Sequence, residues 1–252
     1  MTRLEVSGIE VRSGGTTAID GVDLSAAAGE VTGLVGPAGA GKTTLFNVIT
    51  GLQRPSAGRV RLDGQDITTL APHRRARLGM ARIIQRLEAF GSLTVRENIL
   101  VAAEIRRRWS HDGINTRRVT DEVMSEVGLR SLSRERCDTL PTGLARLVEV
   151  ARALATQPSL LLLDEPSSGL TEEETADLTG LLERLAQRDM AVLLVEHDID
   201  LVMSVCETVH VLDCGQILAA GPPAEIQRDP AVRAAYLGPE RGRVQETAGV
   251  SA

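Results

Sequence analysis

Residues 36 to 44 read GPAGAGKTT, a stretch whose glycine spacing sets the local backbone and, with it, the fold. Glycines at positions 36, 39 and 41 let the chain curl so that successive N–H groups point inward. Lys42 adds a mobile positive charge, and Thr43 adds a hydroxyl that can ligand a metal ion. The stretch therefore predicts a cradle for nucleotide phosphates, formed by Gly36, Pro37, Ala38, Gly39, Ala40, Gly41, Lys42, Thr43 and Thr44.

The residues on either side of this loop provide the setting that a phosphate loop requires. GEVTGLV at 29–35 is apolar and β-prone, which indicates a buried strand. TTLFNVITGL at 43–52 indicates a helix, because apolar side chains recur at helical spacing at Leu45, Val48, Ile49 and Leu52. A strand, a glycine loop and a helix in this order predict an α/β P-loop NTPase core.

A second stretch, LLLLDE at 160–165, supplies the acidic half of the site. Four consecutive leucines predict a strand that is buried on both faces. Such a strand carries Asp164 toward a metal ion and Glu165 toward an attacking water. Together the two stretches predict that the chain binds ATP with Mg²⁺, the ion being held by Thr43 and Asp164.

Composition excludes several classes of function. The formal net charge of −6 over 252 residues argues against nucleic acid as the main partner, because phosphate backbones are bound by Lys and Arg. The local basic runs at 73–77 and 106–108 are interpreted as solvated faces, in preference to lipid or partner contacts. Three cysteines without metal-ligand spacing suit a reducing cytosol. The first residues, MTRLEVSGIEV, lack the long apolar stretch typical of a signal peptide, and no apolar run approaches the ~20 residues that a membrane span needs.

The order of predicted elements defines the fold class. Short strands fill the first thirty residues, and GRVRLDGQDI at 58–67 predicts a hairpin turning at Asp63-Gly64. Residues 86 to 153 are helical and polar, and strands and helices alternate after them. We expect an ATP-binding domain over 1–238, comprising a P-loop NTPase core, an antiparallel β subdomain and an inserted helical subdomain at about 86–153. Residues 239–252 are predicted to form a loose tail.

Further motifs follow in the order found in the ABC (ATP-binding cassette) ATPases, and the chain resembles that family over nearly its full length. The resemblance implies that Gln85 ligands Mg²⁺ and senses a transmembrane partner. It also implies that Asp164 is the Walker B aspartate, Glu165 the catalytic glutamate and His197 the catalytic switch histidine, able to hydrogen-bond the γ-phosphate. The signature motif corresponds to Leu140, Pro141, Thr142, Gly143 and Leu144, and the D-loop to Ser168, Gly169, Leu170 and Thr171.

Three departures from the family pattern bear on mechanism. The aromatic ring that commonly stacks on adenine is replaced by Ser13, which predicts weaker ATP affinity or looser base preference. The LSGGQ signature becomes LPTGL, so that Pro141 stands where a serine hydroxyl would bind a γ-phosphate. The usual acid or amide at the end of the D-loop is Thr171, which with Glu174 predicts a capping box at a helix start.

These departures have consequences across a dimer. In the family, two cassettes enclose two ATP molecules, and each signature serves the partner's phosphate loop. The resemblance therefore implies a second ABC ATPase subunit, and the altered signature favours a heterodimer over a homodimer. Two transmembrane permease subunits and, indirectly, an external solute-binding protein complete the implied assembly at the cytoplasmic face of a bacterial inner membrane.

Within the family, the stretches ARIIQRLEAFGSLTVRENILVAA, VEHDIDLVM and AYLG resemble the ATPases of branched-chain (hydrophobic) amino-acid importers. Importers of urea and amides share this cassette type, and nothing in the chain contacts the transported solute. The alternatives are a non-transport cassette ATPase in DNA repair or translation and a regulatory cassette with weak turnover. Tandem cassettes, long coiled coils and strong basic faces, which would favour a non-transport role, are absent from the sequence.

Overall fold

Two β-sheets organise the chain in the computed structural model, which describes residues 1–13, 15–84 and 86–237. In chain order the strands are β1 (Thr2–Ser13), β2 (Thr16–Ala27), β3 (Val31–Val35), β4 (Ala57–Leu62), β5 (Gln65–Asp66), β6 (Met80–Ile83), β7 (Leu160–Asp164), β8 (Ala191–Val195), β9 (Thr208–Asp213) and β10 (Gln216–Gly221). The helices are α1 (Lys42–Thr50), α2 (Pro72–Arg77), α3 (Val95–Ser110), α4 (Thr116–Glu126), α5 (Thr142–Ala155), α6 (Glu172–Ala186), α7 (Ile199–Val205), α8 (Pro223–Ile226) and α9 (Pro230–Leu237). Short 3₁₀ turns cover Arg130–Leu132 and Cys137–Thr139.

The two sheets differ in strand direction. The first has the order β2-β1-β4-β5 and is antiparallel throughout, and the predicted hairpin is its β4–β5 pair. The second has the order β10-β9-β3-β8-β7-β6, in which only the edge strand β10 runs antiparallel to its neighbour. Helices α3 to α5 are inserted between β6 and β7. The predicted α/β fold with an antiparallel sheet and a helical insertion is therefore confirmed.

The leucine run of β7 is explained by two hydrophobic clusters that lie on opposite faces of the larger sheet. Leu160 and Leu162 belong to the cluster shared with the antiparallel sheet and α1. Leu161 and Leu163 belong to the cluster shared with α5 and α6. Because successive strand side chains point to opposite faces, a central strand covered on both sides must be apolar at every position.

Helix α1 is shorter than its apolar spacing predicts. Gly51 follows it with a φ of 80°, and its N–H bonds to the carbonyl of Val48 at 3.1 Å. Glycine enters this left-handed region without a Cβ penalty and so ends the helix. Leu52, predicted to continue the apolar face, lies beyond the helix with 63% of its surface exposed.

The far end of α1 is held by an arginine from the basic run at 73–77. Arg75 is 1% exposed, and its Nη1 donates to the carbonyls of Val48 (2.8 Å) and Ile49 (2.6 Å). Its other nitrogens donate to the carbonyls of Leu70 and Thr68. The interpretation of this run as a solvated face is therefore wrong at Arg75, because the guanidinium satisfies carbonyls left open by the end of the helix.

Two sequence predictions fall on residues that the structure does not describe. The tail at 239–252 lies outside the described residues, and so does Gln85. Within the described residues, no helix combines the length and hydrophobicity that crossing a membrane requires.

Candidate functional site

The phosphate loop joins β3 to α1 at the carboxyl edge of the larger sheet. A Cβ added to Gly36 would lie 2.0 Å from the carbonyl oxygen of Leu212, and one added to Gly41 would lie 2.6 Å from Ile19 Cδ1. The loop therefore passes its neighbours at distances that only glycine permits. Helix α1 begins with no side-chain cap and no acidic residue in its first turn. Its first N–H groups and the positive end of its dipole are thus available to an anion.

The Lys42 side chain folds back over this loop. Its Nζ donates to the carbonyls of Gly36 at 2.6 Å and Pro37 at 3.0 Å. Burial lowers the pKa of Lys42, while Glu165 and Asp164 act to raise it. The ammonium is held by loop carbonyls next to two carboxylates, within the cradle that the sequence predicted.

The two acidic residues lie at the carboxyl end of β7. Asp164 is the last residue of that strand and is buried, and burial raises its pKa against the opposing charge of Arg82. Glu165 leaves the strand with a φ of 51°, a region that costs energy for a residue other than glycine. Its N–H donates to the carbonyl of Val195 at 2.8 Å, which ties the turn to the neighbouring strand β8.

His197 lies two residues beyond the buried strand β8 and contacts Glu165. Its Nε2 is 2.8 Å from Glu165 Oε1, and the side chains are 54% and 18% exposed. Two of the predicted catalytic residues therefore meet across adjacent parallel strands. The sequence did not indicate this contact, since His197 was expected to face a phosphate.

Glu196 is a site residue that the sequence did not single out, although it lies within the quoted VEHD stretch. Its buried carboxylate accepts the backbone N–H of Ser167 at 2.8 Å and that of His197 at 3.1 Å. An acidic residue directly after an apolar strand was the available signal. Its partner at Ser167 is 29 residues away in the chain, which left that contact unpredicted.

The signature residues open helix α5. Pro141 is the N-cap residue and supplies no side-chain cap, so the helix starts at Thr142 without a hydroxyl acceptor. Leu140 and Leu144 pack against the hydrophobic cluster under α5. The leucine that stands in place of the usual glutamine therefore contributes to the core.

The retained signature glycine contacts the D-loop of the same chain. A Cβ added to Gly143 would lie 2.7 Å from the carbonyl oxygen of Gly169 and 2.9 Å from Leu170 Cδ2. Ser168 is exposed one residue earlier. Thr171 forms the predicted capping box of α6, since its N–H donates to Glu174 Oε2 at 2.8 Å and its Oγ1 accepts the Glu174 N–H at 3.2 Å.

Comparison with known proteins decides the family. The family profile described as "ABC transporter" matches residues 19–168, from β2 to the D-loop. The chain belongs to the ABC transporter family, and it is a cassette ATPase. A second profile, described as "Branched-chain amino acid ATP-binding cassette transporter", matches residues 216–238 of this cassette.

Several curated relatives align with the cassette over most of both chains. The high-affinity branched-chain amino acid transport ATP-binding protein BraF of Pseudomonas aeruginosa is 40% identical, over 93% of this chain and 97% of that protein. LivG of Escherichia coli K12, described by the same words, is 36% identical over the same shares. The lipopolysaccharide export system ATP-binding protein LptB of Haemophilus influenzae is 35% identical, over 87% of this chain and 90% of that protein.

Solved structures agree on the fold. The ADP conformation of MJ1267, an ATP-binding cassette of an ABC transporter, superposes with a TM-score of 0.84 at 30% identity, covering 94% of this chain and 99% of that one. A nucleotide-free ATP-binding cassette gives a TM-score of 0.85 at 29% identity, covering 94% and 100%.

The segment around Gln85 is held by helix α5 of the cassette. Arg146 Nη1 donates to the carbonyl of Ile84 at 2.7 Å and pairs with buried Glu149 at 2.9 Å. Glu149 Oε1 in turn accepts the N–H of Glu88, and Arg152 donates to the Glu88 carbonyl at 2.6 Å. Burial raises the pKa of Glu149. The segment on both sides of Gln85 is therefore fixed to the helix that starts at the signature.

Arg82 is a further residue near the site that the sequence did not single out. It lies on β6 beside Asp164, and its Nη1 donates to Asn47 Oδ1 and Thr50 Oγ1, both at 3.0 Å. A charged residue within the otherwise apolar strand β6 was the signal for it. It connects the sheet to the phosphate-loop helix.

Proposed function

We propose that this cassette is the ATP-hydrolysing subunit of a bacterial importer for branched-chain or other hydrophobic amino acids, or for related small solutes such as urea and amides. The observation that carries the hydrolytic part of the proposal is the 2.8 Å contact between His197 and Glu165, whose charge acts on Lys42 of the phosphate loop. Glu165 would orient or deprotonate the attacking water, and His197 would hold Glu165 and reach the γ-phosphate. Lys42 and the first turn of α1 would balance the phosphate charge.

The residues present fit a magnesium ion. Asp164 offers a carboxylate and Thr43, exposed in the first turn of α1, a hydroxyl. These are hard oxygen ligands, and Mg²⁺ in nucleotide sites takes one or two carboxylates together with phosphate oxygens and water. When bound, the ion would neutralise charge on the phosphates, and Gln85 would complete its ligands.

The altered signature supports a heterodimer. Pro141 at the start of α5 has neither a hydroxyl nor an N–H for the nucleotide of a partner cassette. This chain's own phosphate loop, Glu165 and His197 retain their chemistry and would hydrolyse ATP against an intact partner signature. We therefore place the cassette in an asymmetric pair of similar but non-identical ATPases.

Two transmembrane permease subunits would dock near Gln85. A groove of about 300 Å³ is lined by Ile84 and Glu88, which lie on either side of Gln85 in the sequence, and by Ile105, Trp109 and Arg152. The contacts of α5 on both sides of Gln85 would pass a change in this groove to the signature. Closure of the dimer on ATP and reopening after hydrolysis would act as a two-state switch on the permease. An external solute-binding protein would deliver the solute, and the cassette would sit peripherally at the cytoplasmic face of the inner membrane.

The match at 216–238 supports import of amino acids over the export function named for LptB. A regulatory cassette with weak turnover is the second candidate, and Pro141 is the observation that favours it.

ATP turnover tests these readings, measured with the purified chain over a range of protein concentrations and with Glu165→Gln as control. We expect near-background turnover alone, and turnover that appears when the partner cassette is added. Turnover that rises steeply with concentration in the chain alone would contradict the heterodimer. A mixed dimer that stays inactive would favour the regulatory role, and co-purification of permease subunits would favour transport over a non-transport role.

A titration of ATP against GTP tests the position of Ser13. Without a stacking aromatic we expect affinities for the two nucleotides within about tenfold of each other, since such a contact contributes roughly 1 kcal/mol. A tight, adenine-exclusive site would contradict this expectation.

A further inference from the structure

A buried carboxylate connects Ser167, the residue before the D-loop, to His197 and has no part in the chemistry proposed above. Glu196 is 3% exposed, yet it carries an ionisable group directly after β8. Its two oxygens are used separately: Oε1 accepts the N–H of Ser167 at 2.8 Å, and Oε2 accepts the N–H of His197 at 3.1 Å.

This carboxylate completes a closed set of contacts between two chain segments, 165–167 and 195–197. The N–H of Glu165 donates to the carbonyl of Val195, and the imidazole of His197 contacts the carboxylate of Glu165, each at 2.8 Å. Glu196 adds the third connection at Ser167. Because the two segments are joined at three points, neither can shift without displacing the Glu165–His197 pair.

The chemistry of the residue matches this task. Burying a carboxylate is costly unless hydrogen bonds compensate, and a carboxylate offers acceptors on both oxygens. A glutamine of the same shape offers one acceptor oxygen and presents its NH₂ group to the other N–H donor. The position therefore requires two acceptors, which only an acidic side chain of this length supplies.

We propose that Glu196 is a positioning residue that binds the D-loop and the Glu165–His197 pair into one unit. Since Ser167 immediately precedes the D-loop residues Ser168 to Thr171, a displacement of the D-loop by a partner cassette would pass through Glu196 to the hydrolytic pair. The inference rests on the roles proposed for Glu165 and His197.

The contact itself is tested in the isolated chain by amide NMR. An amide proton donated to a carboxylate resonates downfield, so Glu196→Gln should move the Ser167 and His197 amide protons upfield. Glu207→Gln is the matched control, because Glu207 Oε2 likewise accepts a backbone N–H, that of Val31 at 2.7 Å. It should move the Val31 proton and leave Ser167 and His197 unchanged. Unchanged Ser167 and His197 protons in Glu196→Gln would overturn the proposal.

The role is tested in the cassette pair that sustains turnover. We expect Glu196→Gln to lower kcat about 10- to 100-fold with KM within about twofold, because small misplacements of reacting groups are costly while ATP contacts remain. In a His197→Ala background the same substitution should cost less than about twofold, since the pair that it positions is gone. Equal losses in both backgrounds would indicate a purely structural residue and overturn the inference.

Glu165→Gln distinguishes failure of the proposed hydrolytic pair from failure of the inference about Glu196 alone. If Glu165→Gln abolishes turnover but Glu196→Gln has no effect, only the inference about Glu196 is wrong. If Glu165→Gln retains turnover, the proposed hydrolytic pair is wrong, and the positioning role is wrong with it.

Discussion

The helices α1 and α5 both begin at a predicted nucleotide contact, but their first turns differ in chemistry. Helix α1 starts after Gly41, with open N–H groups and with Lys42 folded over the loop. Helix α5 starts after Pro141, and a leucine of its signature is packed into the core. Lys42, Glu165 and His197, which would act on the phosphates of this chain's own nucleotide, are retained, whereas the signature residues that would act on a partner's nucleotide are altered. The ability of a cassette to support ATP hydrolysis therefore has to be judged separately for its own nucleotide site and for the partner site that its signature would complete.

The largest expected effect comes from a substitution at this chain's own nucleotide site. Glu165→Gln should lower turnover at this chain's own site about 1,000-fold, within the range for loss of a general base, while ATP binding persists. Turnover and nucleotide binding of the cassette pair check this. Glu173→Gln, at an exposed position in the first turn of α6, is the matched control and should leave turnover within about twofold. Comparable losses in the two variants would remove the distinction on which the site assignment rests.

The next effect concerns the far end of the phosphate-loop helix. Arg75→Met should lower the free energy of unfolding by about 3 kcal/mol, because it removes the guanidinium that donates to buried carbonyls of α1 and of the loop before α2. Urea denaturation measures it. The control is Arg77→Met, an exposed position on the same short helix, where we expect a change within about 0.5 kcal/mol. A small change at Arg75 would mean that α1 does not depend on this contact.

These residues also illustrate how far the sequence could predict the molecule. The phosphate loop, the buried strand β7 and the Thr171 capping box were predictable because each signal lies within a few adjacent residues: glycine spacing, a leucine run, and a threonine three residues before a glutamate. The fold class followed from the order of such signals.

The remaining contacts join residues distant in the sequence. Arg75 meets Val48 across 27 positions, and Glu196 meets the N–H of Ser167 across 29. Charge alone gives Arg75 the same appearance as its exposed neighbours, and only its hydrogen bonds to the end of α1 distinguish it. The signal for the end of α1, Gly51, was present in the local sequence. The apolar spacing that continues to Leu52 nevertheless led to the prediction of a longer helix.

A moderate effect should appear when the hydroxyl and the N–H that the altered signature lacks are restored. Pro141→Ser supplies the missing hydroxyl and N–H, so turnover of the chain alone should rise about tenfold, equivalent to roughly 1.4 kcal/mol. Serine at this N-cap should also stabilise α5 by about 1 kcal/mol. Turnover and urea denaturation measure the two effects.

Pro222→Ser is the control, because Pro222 caps α8 with φ −60° and ψ 148°, close to the −53° and 150° of Pro141. It should change stability without changing turnover. If Pro141→Ser raises the free energy of unfolding but not the turnover, Pro141 is not what limits turnover at the altered signature.

The smallest expected effect concerns how the free energy of unfolding depends on pH. His210 lies on β9, two residues before Leu212, whose carbonyl borders Gly36, and burial lowers its pKa, with a smaller opposing effect from the Ser25 backbone. A folded-state pKa below the unfolded value means that the unfolded chain binds the proton more readily, so stability is present above about pH 6.5 and is lost as pH falls. We expect His210→Leu to remove about 1 kcal/mol of the loss in unfolding free energy between pH 7 and pH 5, measured by urea denaturation at each pH. His73→Leu, at an exposed position, should leave the pH dependence unchanged. An identical pH dependence in wild type and His210→Leu would place the acid-sensitive group elsewhere.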